Sequence, residues 1–147
     1  MHPNVISEDE ARVAELVRSA RRVAVLGMKT EAQADQPAFY VPKALHDGGV
    51  EIVPVPVYYP EATEILGARV YRRVADVPGD VDIVDVFRRS RDIATHVDDI
   101  LAKKPRAVWL QSGIRDDDAA ETWARAGILV VQARCLMVDW QHYAARR

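Results

Sequence analysis

Cysteine, long apolar runs and an excess of positive charge are scarce or missing in this 147-residue sequence. The single cysteine, Cys135, cannot form an internal disulfide, which is typical of proteins in reducing compartments. No apolar stretch approaches the roughly 18 residues of a membrane-spanning helix, and residues 1–20 lack the apolar segment of a signal peptide. The net charge of −2 offers no basic excess to neutralise nucleic-acid phosphates. We therefore expect a cytoplasmic protein with no membrane or nucleic-acid partner.

Several site motifs are also missing. The sequence has no P-loop and no G-x-G-x-x-G, and only Gly27 follows the first predicted strand. Pro54-Val55-Pro56 stands where an NAD site would carry an acidic residue. The adjacent acids Asp116 to Asp118 are more simply a helix start than a metal site, and the four histidines lack the spacing of metal ligands or of a catalytic triad: His2, His46, His96 and His142. We predict no metal and no catalytic residue.

The residues that are present indicate one globular α/β domain spanning residues 1–147. Hydrophobic residues make up 49% and charged residues 29% of the chain, which are ordinary globular values. Short, unbroken apolar runs are typical of parallel strands buried on both faces, and five occur here: Val23–Leu26, Ile52–Val55, Val81–Phe87, Ala107–Leu110 and Ile128–Val131. Because these runs alternate with helical patterns, we predict a doubly wound, Rossmann-like parallel sheet in three layers.

Local signals place the helix boundaries. Ser7 and Glu10 form a predicted capping box at the first helix. Pro42 lacks an N–H, so we expect its helix to start near residues 38–40, which leaves residues 27–37 as an open loop. The other predicted boundaries are a helix end at Gly48-Gly49, a small helix Glu61–Leu66 before an edge strand Arg69–Tyr71, a helix from the cap Ser90 to before Pro105, and a helix from Asp116–Asp118 to Gly127.

Ligands of open parallel sheets bind beyond the carboxyl ends of the strands. The segments at those ends are Gly27–Thr30, Pro54–Pro56, Phe87–Ser90 and Gln111–Gly113. A glycine, a lysine, a hydroxyl and two arginines beside a helix start indicate a phosphorylated, partly apolar ligand. Simpler interpretations stay open: the glycines shape turns, Lys29 is a solvated loop residue, and the arginines pair with Asp85 or Asp92. Cys135 is either buried structure or a reactive thiol.

Several segments, in their order along residues 20–138, resemble the small stand-alone CoA-binding proteins and the N-terminal CoA-binding domain of the succinyl-CoA synthetase alpha subunit. VDIVDVFRRS and WLQSGIR are the specific ones. The segments are VAVLGMKT (Val23–Thr30), Tyr40-Val41-Pro42 with Leu45, Ile65-Leu66-Gly67 before Val70-Tyr71, VDIVDVFRRS (Val81–Ser90), WLQSGIR (Trp109–Arg115) and Arg134-Cys135.

The resemblance implies a Rossmann-like fold that binds coenzyme A (CoA) or an acyl-CoA without catalysis, as a sensor or carrier. In the synthetase, the phosphorylated histidine and the nucleotide-grasp machinery lie in other domains. The implied roles are phosphate binding by Gly27, Met28, Lys29 and Thr30, adenosine contacts from Pro54 and Val55, contacts along the cofactor from Phe87, Arg88 and Arg89, closure of the pocket by Gln111, Ser112 and Gly113, and a further cofactor contact from Tyr40.

Two departures from the family pattern weaken the expected contacts to the adenosine 3′-phosphate. Pro54 to Tyr59 replaces an Asn-Pro-basic sequence, and Ala34-Asp35-Gln36 lacks an arginine often found there. Tyr58 and Tyr59 are candidates to stack on the adenine instead. Two other functions remain as alternatives: an NAD(P)-binding Rossmann protein, and an interaction subunit that docks an unknown protein partner through a sheet edge or Trp140–Tyr143.

Overall fold

The computed structural model describes residues 1–144, which contain seven strands and five α-helices. The strands are β1 (Arg22–Leu26), β2 (Glu51–Val55), β3 (Glu64–Ile65), β4 (Ala68–Arg69), β5 (Ile83–Val86), β6 (Ala107–Leu110) and β7 (Leu129–Val131). The helices are α1 (Glu10–Ser19), α2 (Pro37–Asp47), α3 (Val97–Lys103), α4 (Asp117–Arg125) and α5 (Leu136–Tyr143). Three 3-10 turns add Glu31–Gln33, Val74–Asp76 and Ser90–His96.

The five longer strands form one parallel sheet in the order β2-β1-β5-β6-β7. The chain runs from β1 to β2 on one side and later returns to place β5 on the other side of β1. This reversal creates a crevice between the carboxyl ends of β1 and β5, which is where doubly wound sheets bind ligands. The predicted doubly wound α/β fold is confirmed.

Helices cover both faces of the sheet and give it three layers. The closed face is the side covered by α3 and α4, where Ile100 and Trp123 are fully buried. The open face is the side covered by α1, α2 and α5, which contribute Leu16, Phe39 and Leu136 to a second apolar cluster. Side chains alternate between these faces along each strand, as in β5, where Val84 and Val86 join the closed face.

Two predicted helix starts are wrong. Helix α1 is capped by Asp9, whose carboxylate accepts from the Arg12 N–H, because the Ser7 hydroxyl instead accepts from the Gln132 N–H at 2.8 Å. Helix α2 starts at Pro37, earlier than predicted, so Pro42 lies inside it. The proline at the first helical position needs no partner for an N–H, and it allows the earlier start.

The segment after β2 also differs from its prediction. Residues 61–66 are not helical, because β3 and β4 form an antiparallel hairpin with Leu66 and Gly67 between them. Both loop residues have positive φ, 52° and 72°, as a two-residue hairpin turn requires. This hairpin is a separate two-stranded sheet, although the following Tyr71 N–H donates to the Pro54 carbonyl on β2 at 3.0 Å.

Ser90 does not cap a helix either. Its hydroxyl accepts from the Arg115 N–H at 3.0 Å, and residues 90–96 form a 3-10 turn before α3. Two other predicted boundaries are confirmed: Asp116 caps α4 with its side chain, and α2 ends before Gly48 and Gly49. The predicted edge strand Arg69–Tyr71 is shifted, since β4 spans Ala68–Arg69. Polar signals at element ends were therefore reliable where no long-range partner competed for the same side chain.

Candidate functional site

The crevice between β1 and β5 is closed tightly at Gly27. The Gly27 N–H donates to the Val55 carbonyl and the Phe87 N–H donates to the Leu26 carbonyl, each at 2.9 Å. Gly27 has φ +85°, and a Cβ added there would lie 2.3 Å from the Phe87 carbonyl oxygen. Backbone packing alone therefore requires this glycine, which supports the interpretation that it shapes the turn.

Pro42 fixes the position of the loop that follows Gly27. In a regular helix the Ala38 carbonyl would accept from the N–H of residue 42, which a proline lacks. This free carbonyl accepts from the Lys29 N–H at 3.1 Å instead. By leaving the Ala38 carbonyl free, Pro42 thus allows this carbonyl to hold the Lys29 backbone at the sheet edge.

The four residues predicted to bind phosphates are not equivalent. Met28 is fully buried in the open-face core. The Thr30 hydroxyl accepts from the Ala32 N–H and donates to Gln33 Oε1 at 2.8 Å, so it caps the 3-10 turn. Lys29 is the member of this group whose side chain lines the neighbouring cavity.

That cavity has a volume of about 550 Å³ and lies over the carboxyl ends of β5 and β6, between the starts of α2 and α5. A volume of this size is typical of small-molecule sites. Seven predicted site residues line it together: Lys29, Tyr40, Phe87, Arg88, Arg89, Gln111 and Ser112. Seven further residues line it without having been predicted for the site: Pro37, Ala38, Val41, Ile114, Cys135, Met137 and Val138.

The remaining predicted residues shape the surroundings of the cavity but do not line it. Pro54 and Val55 are buried within β2, and their carbonyls accept from the Tyr71 and Gly27 N–H groups. Gly113 has φ +76°, and no atom lies within 4 Å of the point where a Cβ would stand, so this glycine serves the turn after β6. Their proposed contacts to adenosine and to the pocket stay predictions.

Arg88 is held in place by three neighbours. Its side chain is only 15% exposed, and its Nε donates to His96 Nε2 at 3.1 Å. Its guanidinium carbon lies 5.6 Å from the centre of the Tyr58 ring, and Nη2 is 3.8 Å from Asp92 Oδ2. Arg89 is 65% exposed and pairs with Asp92 at 3.1 Å. Both arginines therefore lie close to Asp92, in agreement with the simpler interpretation that they pair with Asp85 or Asp92.

His96 is a site neighbour that the sequence analysis dismissed. Burial, followed by the nearby charge of Arg88, lowers the pKa of its imidazole, so the ring is neutral at pH 7 and accepts the Arg88 hydrogen bond. The contact between Arg88 and His96 was not predicted, because the sequence analysis placed His96 in an α-helix whereas residues 90–96 form a 3-10 turn. A hydrogen bond from Arg88, and then its charge, lowers the pKa of the Tyr58 hydroxyl.

Tyr59 stands beside the second cation of the site. Lys29 Nζ donates to the Tyr59 hydroxyl at 3.4 Å and lies 6.0 Å from the centre of its ring. The Tyr58 and Tyr59 rings meet edge to face with centres 6.5 Å apart. The loop after β2 therefore brings two aromatic rings to the cations of the neighbouring strands, although neither tyrosine lines the cavity itself.

A charged cluster holds the start of α5, which forms one wall of the cavity. Arg134 donates two hydrogen bonds of 2.8 Å to the buried Asp139 and one of 2.6 Å to Glu10 on α1, and the Tyr143 hydroxyl also donates to Glu10. The bonds from Arg134 and then Tyr143 lower the pKa of Glu10 to about 2. Glu10 is therefore ionised at neutral pH and pairs with Arg134.

Asp85 is a buried acid in the central strand β5. It is 1% exposed, and its Oδ1 has no hydrogen-bond partner within residues 1–144. Strand alternation places it on the open face with Ile83, two residues before Phe87. Burial raises the pKa of this carboxyl well above its usual range and so favours its neutral form.

Residues 21–141 match the model of the CoA binding domain family. This match covers most of the chain. The chain belongs to the CoA binding domain family. The resemblance inferred from VDIVDVFRRS and WLQSGIR is thereby confirmed.

Similar proteins agree with this family and fold. The domain is 30% identical over 129 residues to the uncharacterized protein YneT of Bacillus subtilis (strain 168), covering 88% of this chain and 92% of the relative. It superimposes on a Thermus thermophilus structure, cell-free ID.343, with a TM-score of 0.83 and 34% identity, covering 92% and 98% of the two chains. An acetyl-coenzyme A synthetase of Ca. Korarchaeum cryptofilum shares the fold with a TM-score of 0.67 and 18% identity, over 79% of this chain and 26% of the synthetase.

Two further observations on residues 1–144 concern membrane-spanning helices and clusters of metal-ligating side chains. No helix in that range combines the length and apolarity needed to cross a bilayer. No three His, Cys, Asp or Glu side chains in the same range lie together as metal ligands.

Proposed function

We propose that this CoA-binding domain binds CoA or an acyl-CoA in the 550 Å³ cavity, as a stand-alone and non-catalytic module. One observation carries the proposal: the same cavity combines Lys29, Arg88 and Arg89 with mostly apolar walls. CoA has the matching chemistry, since it joins a diphosphate and a 3′-phosphate to a long, weakly polar pantetheine arm. Free phosphate or a simple nucleotide would not use the apolar walls.

The order of the strands supports an orientation for the ligand. Lys29 follows β1 and Arg88 follows β5, so both cations lie at the β1–β5 crevice. Gln111 follows β6, and Cys135 follows β7 one strand further along the sheet. In this proposal the phosphates lie at the crevice, with Tyr58 and Tyr59 nearby, and the pantetheine arm extends across β5 and β6 towards α5.

The non-catalytic part of the proposal rests on the nucleophiles that face the cavity. Within residues 1–144, neither Ser112 nor Cys135 hydrogen-bonds to a histidine or carboxylate that would act as its base. We expect no release of free thiol when the purified protein is incubated with acetyl-CoA. Turnover that survives repurification and is lost in Cys135→Ser or Ser112→Ala would contradict this expectation.

Arg88 provides the direct test of the site. A hydrogen bond to a charged group contributes about 1.5–3 kcal/mol, so Arg88→Ala should weaken CoA binding about 10- to 150-fold and flatten its salt dependence. Arg91→Ala is the matched control, because Arg91 is an exposed arginine three residues away that does not line the cavity. Calorimetric titration with CoA at two salt concentrations measures both variants. Equal losses in the two variants, or less than a threefold loss in Arg88→Ala, would remove Arg88 from the site.

A further inference from the structure

Gln111 is a buried side chain with one end in use and one end free. It is 5% exposed, and its Oε1 accepts from the Leu136 N–H at the start of α5 at 3.1 Å. A backbone N–H can only donate, so this bond fixes which end of the amide is the oxygen. No residue within 1–144 accepts from the Gln111 Nε2 group, and the side chain lines the cavity. The structure therefore leaves an oriented amide donor for a ligand.

The walls of the cavity change character on the two sides of Gln111. The three cations Lys29, Arg88 and Arg89 follow β1 and β5 on one side. On the other side, Ile114, Met137 and Val138 line the part of the cavity near β7 and α5. The basic residues nearest in sequence to that wall are Arg115 and Arg134, and neither lines the cavity. Arg115 pairs with Asp117, and Arg134 is bound to Glu10 and Asp139. The far part of the cavity thus has an apolar wall without a cation.

We infer that the cavity selects acyl-CoA thioesters with a short apolar acyl group over free CoA, with Gln111 Nε2 donating to the thioester carbonyl oxygen. This inference rests on the proposed function and names its ligand class. The order of charge, donor and apolar wall along the cavity matches the order of phosphates, thioester carbonyl and alkyl chain in such a molecule. An acyl group that ends in a carboxylate, such as succinyl, would be desolvated against the apolar wall without a cation to pair with it.

A ligand series on the unmodified protein tests the selection. Calorimetric titrations would compare CoA, acetyl-CoA, butyryl-CoA and succinyl-CoA. Each buried methylene should strengthen binding about fourfold, so butyryl-CoA should bind about 15-fold more tightly than acetyl-CoA. Succinyl-CoA should bind more weakly than butyryl-CoA, although the two chains have nearly the same length.

A variant of Gln111 tests the carbonyl contact. Gln111→Glu keeps an oxygen for the Leu136 N–H and replaces the amide donor with a second oxygen, with little change in shape. At pH 8 it should reduce the affinity for butyryl-CoA about 2- to 13-fold more than the affinity for CoA, as expected for loss of one hydrogen bond. Gln111→Met, which removes both polar ends, provides a second variant, and urea unfolding shows whether each variant is folded.

The outcomes separate this inference from the proposed function. If CoA, acetyl-CoA and butyryl-CoA bind within threefold of one another, the selection is overturned while CoA binding stands. If Gln111→Glu weakens CoA as much as butyryl-CoA, the donor contacts the pantetheine arm and the carbonyl assignment is overturned. If none of the four ligands binds, the proposed function itself is wrong.

Discussion

The two faces of the sheet differ in how a buried glutamine side chain is hydrogen-bonded. Gln132, after β7, uses both ends at the start of α4: its Oε1 accepts from the Asp116 N–H at 2.9 Å and its Nε2 donates to Asp117 at 3.0 Å. Gln111, after β6, uses its Oε1 at the start of α5 and leaves Nε2 to the open-face cavity. The first arrangement uses both ends of the amide within the protein, whereas the second leaves one end facing the cavity.

The same contrast extends to the layers themselves. The closed-face cluster consists of aliphatic side chains and Trp123. The open face contains the unpaired Asp85 carboxyl and the cavity in addition to its apolar cluster. Incomplete burial and unsatisfied polar groups carry a cost in stability, so their concentration on one face is evidence for where binding takes place. We therefore expect removal of a buried apolar side chain from the closed face to lower stability, and replacement of the Asp85 carboxyl on the open face to raise it.

On the closed face, Ile100→Ala should have the largest effect on stability. Ile100 is fully buried on α3, and removing its side chain should cost about 2–5 kcal/mol of unfolding free energy. The affinity for CoA should stay unchanged, because Ile100 does not line the cavity. Urea unfolding and calorimetric titration measure the two quantities. A more than threefold weaker affinity in the folded variant would break the contrast between the faces.

On the open face, Asp85→Asn should become more stable than the native protein, by a margin that grows as the pH rises. The raised pKa keeps the folded carboxyl protonated, while the unfolded chain ionises near pH 4. Above that pH the native protein therefore loses about 1.4 kcal/mol of stability per pH unit from this group, until its folded pKa is reached. Asn cannot ionise, so the variant should gain on the native protein by that slope.

Urea unfolding between pH 4 and pH 7 measures this difference, with Asp35→Asn as the control at an exposed acid. The control should follow the native protein at every pH. Parallel curves for Asp85→Asn and the native protein would show that Asp85 is paired or solvated in solution.

The smallest expected effect concerns the competing acid beside the arginines. Asp92 Oδ2 lies 3.1 Å from Arg89 Nε and 3.8 Å from Arg88 Nη2. Exposed ion pairs are worth about 0.2–1 kcal/mol, so Asp92→Asn should tighten CoA binding by at most about fivefold, most clearly at low salt. Calorimetry at two salt concentrations measures the change. A weaker affinity would mean that Asp92 positions Arg88 for the ligand.

Much of the fold followed from local pattern. The strand predicted at Ala107–Leu110 has those bounds in the structure, because an unbroken apolar run has one stable place, inside a parallel sheet. The errors arose where distant atoms competed for local groups. Ser7 is engaged by Gln132, and the N–H of Leu66, in the hairpin turn, donates to Glu31 Oε2 at 2.8 Å. Neither partner is visible from spacing along the chain.

Much of the site could be predicted from the residues that follow each strand. The prediction was incomplete because it did not include the residues after the last strand. Reading past the first four predicted strands found Lys29, Phe87, Arg88, Gln111 and Ser112. The same rule applied after β7 would have included Cys135 and Met137 in the cavity wall. The contact between Arg88 and His96 depends on a 3-10 turn, for which the sequence carried no clear signal.

A ligand comparison on the unmodified protein tests the central claim, that the open-face cavity binds CoA. Urea unfolding would be measured with CoA, NAD or NADP, alongside calorimetric dissociation constants. A ligand present at 100 times its dissociation constant stabilises the native state by about 2.7 kcal/mol. We predict this gain with CoA at concentrations where NAD and NADP give none. Equal or greater stabilisation by NAD or NADP would contradict the account.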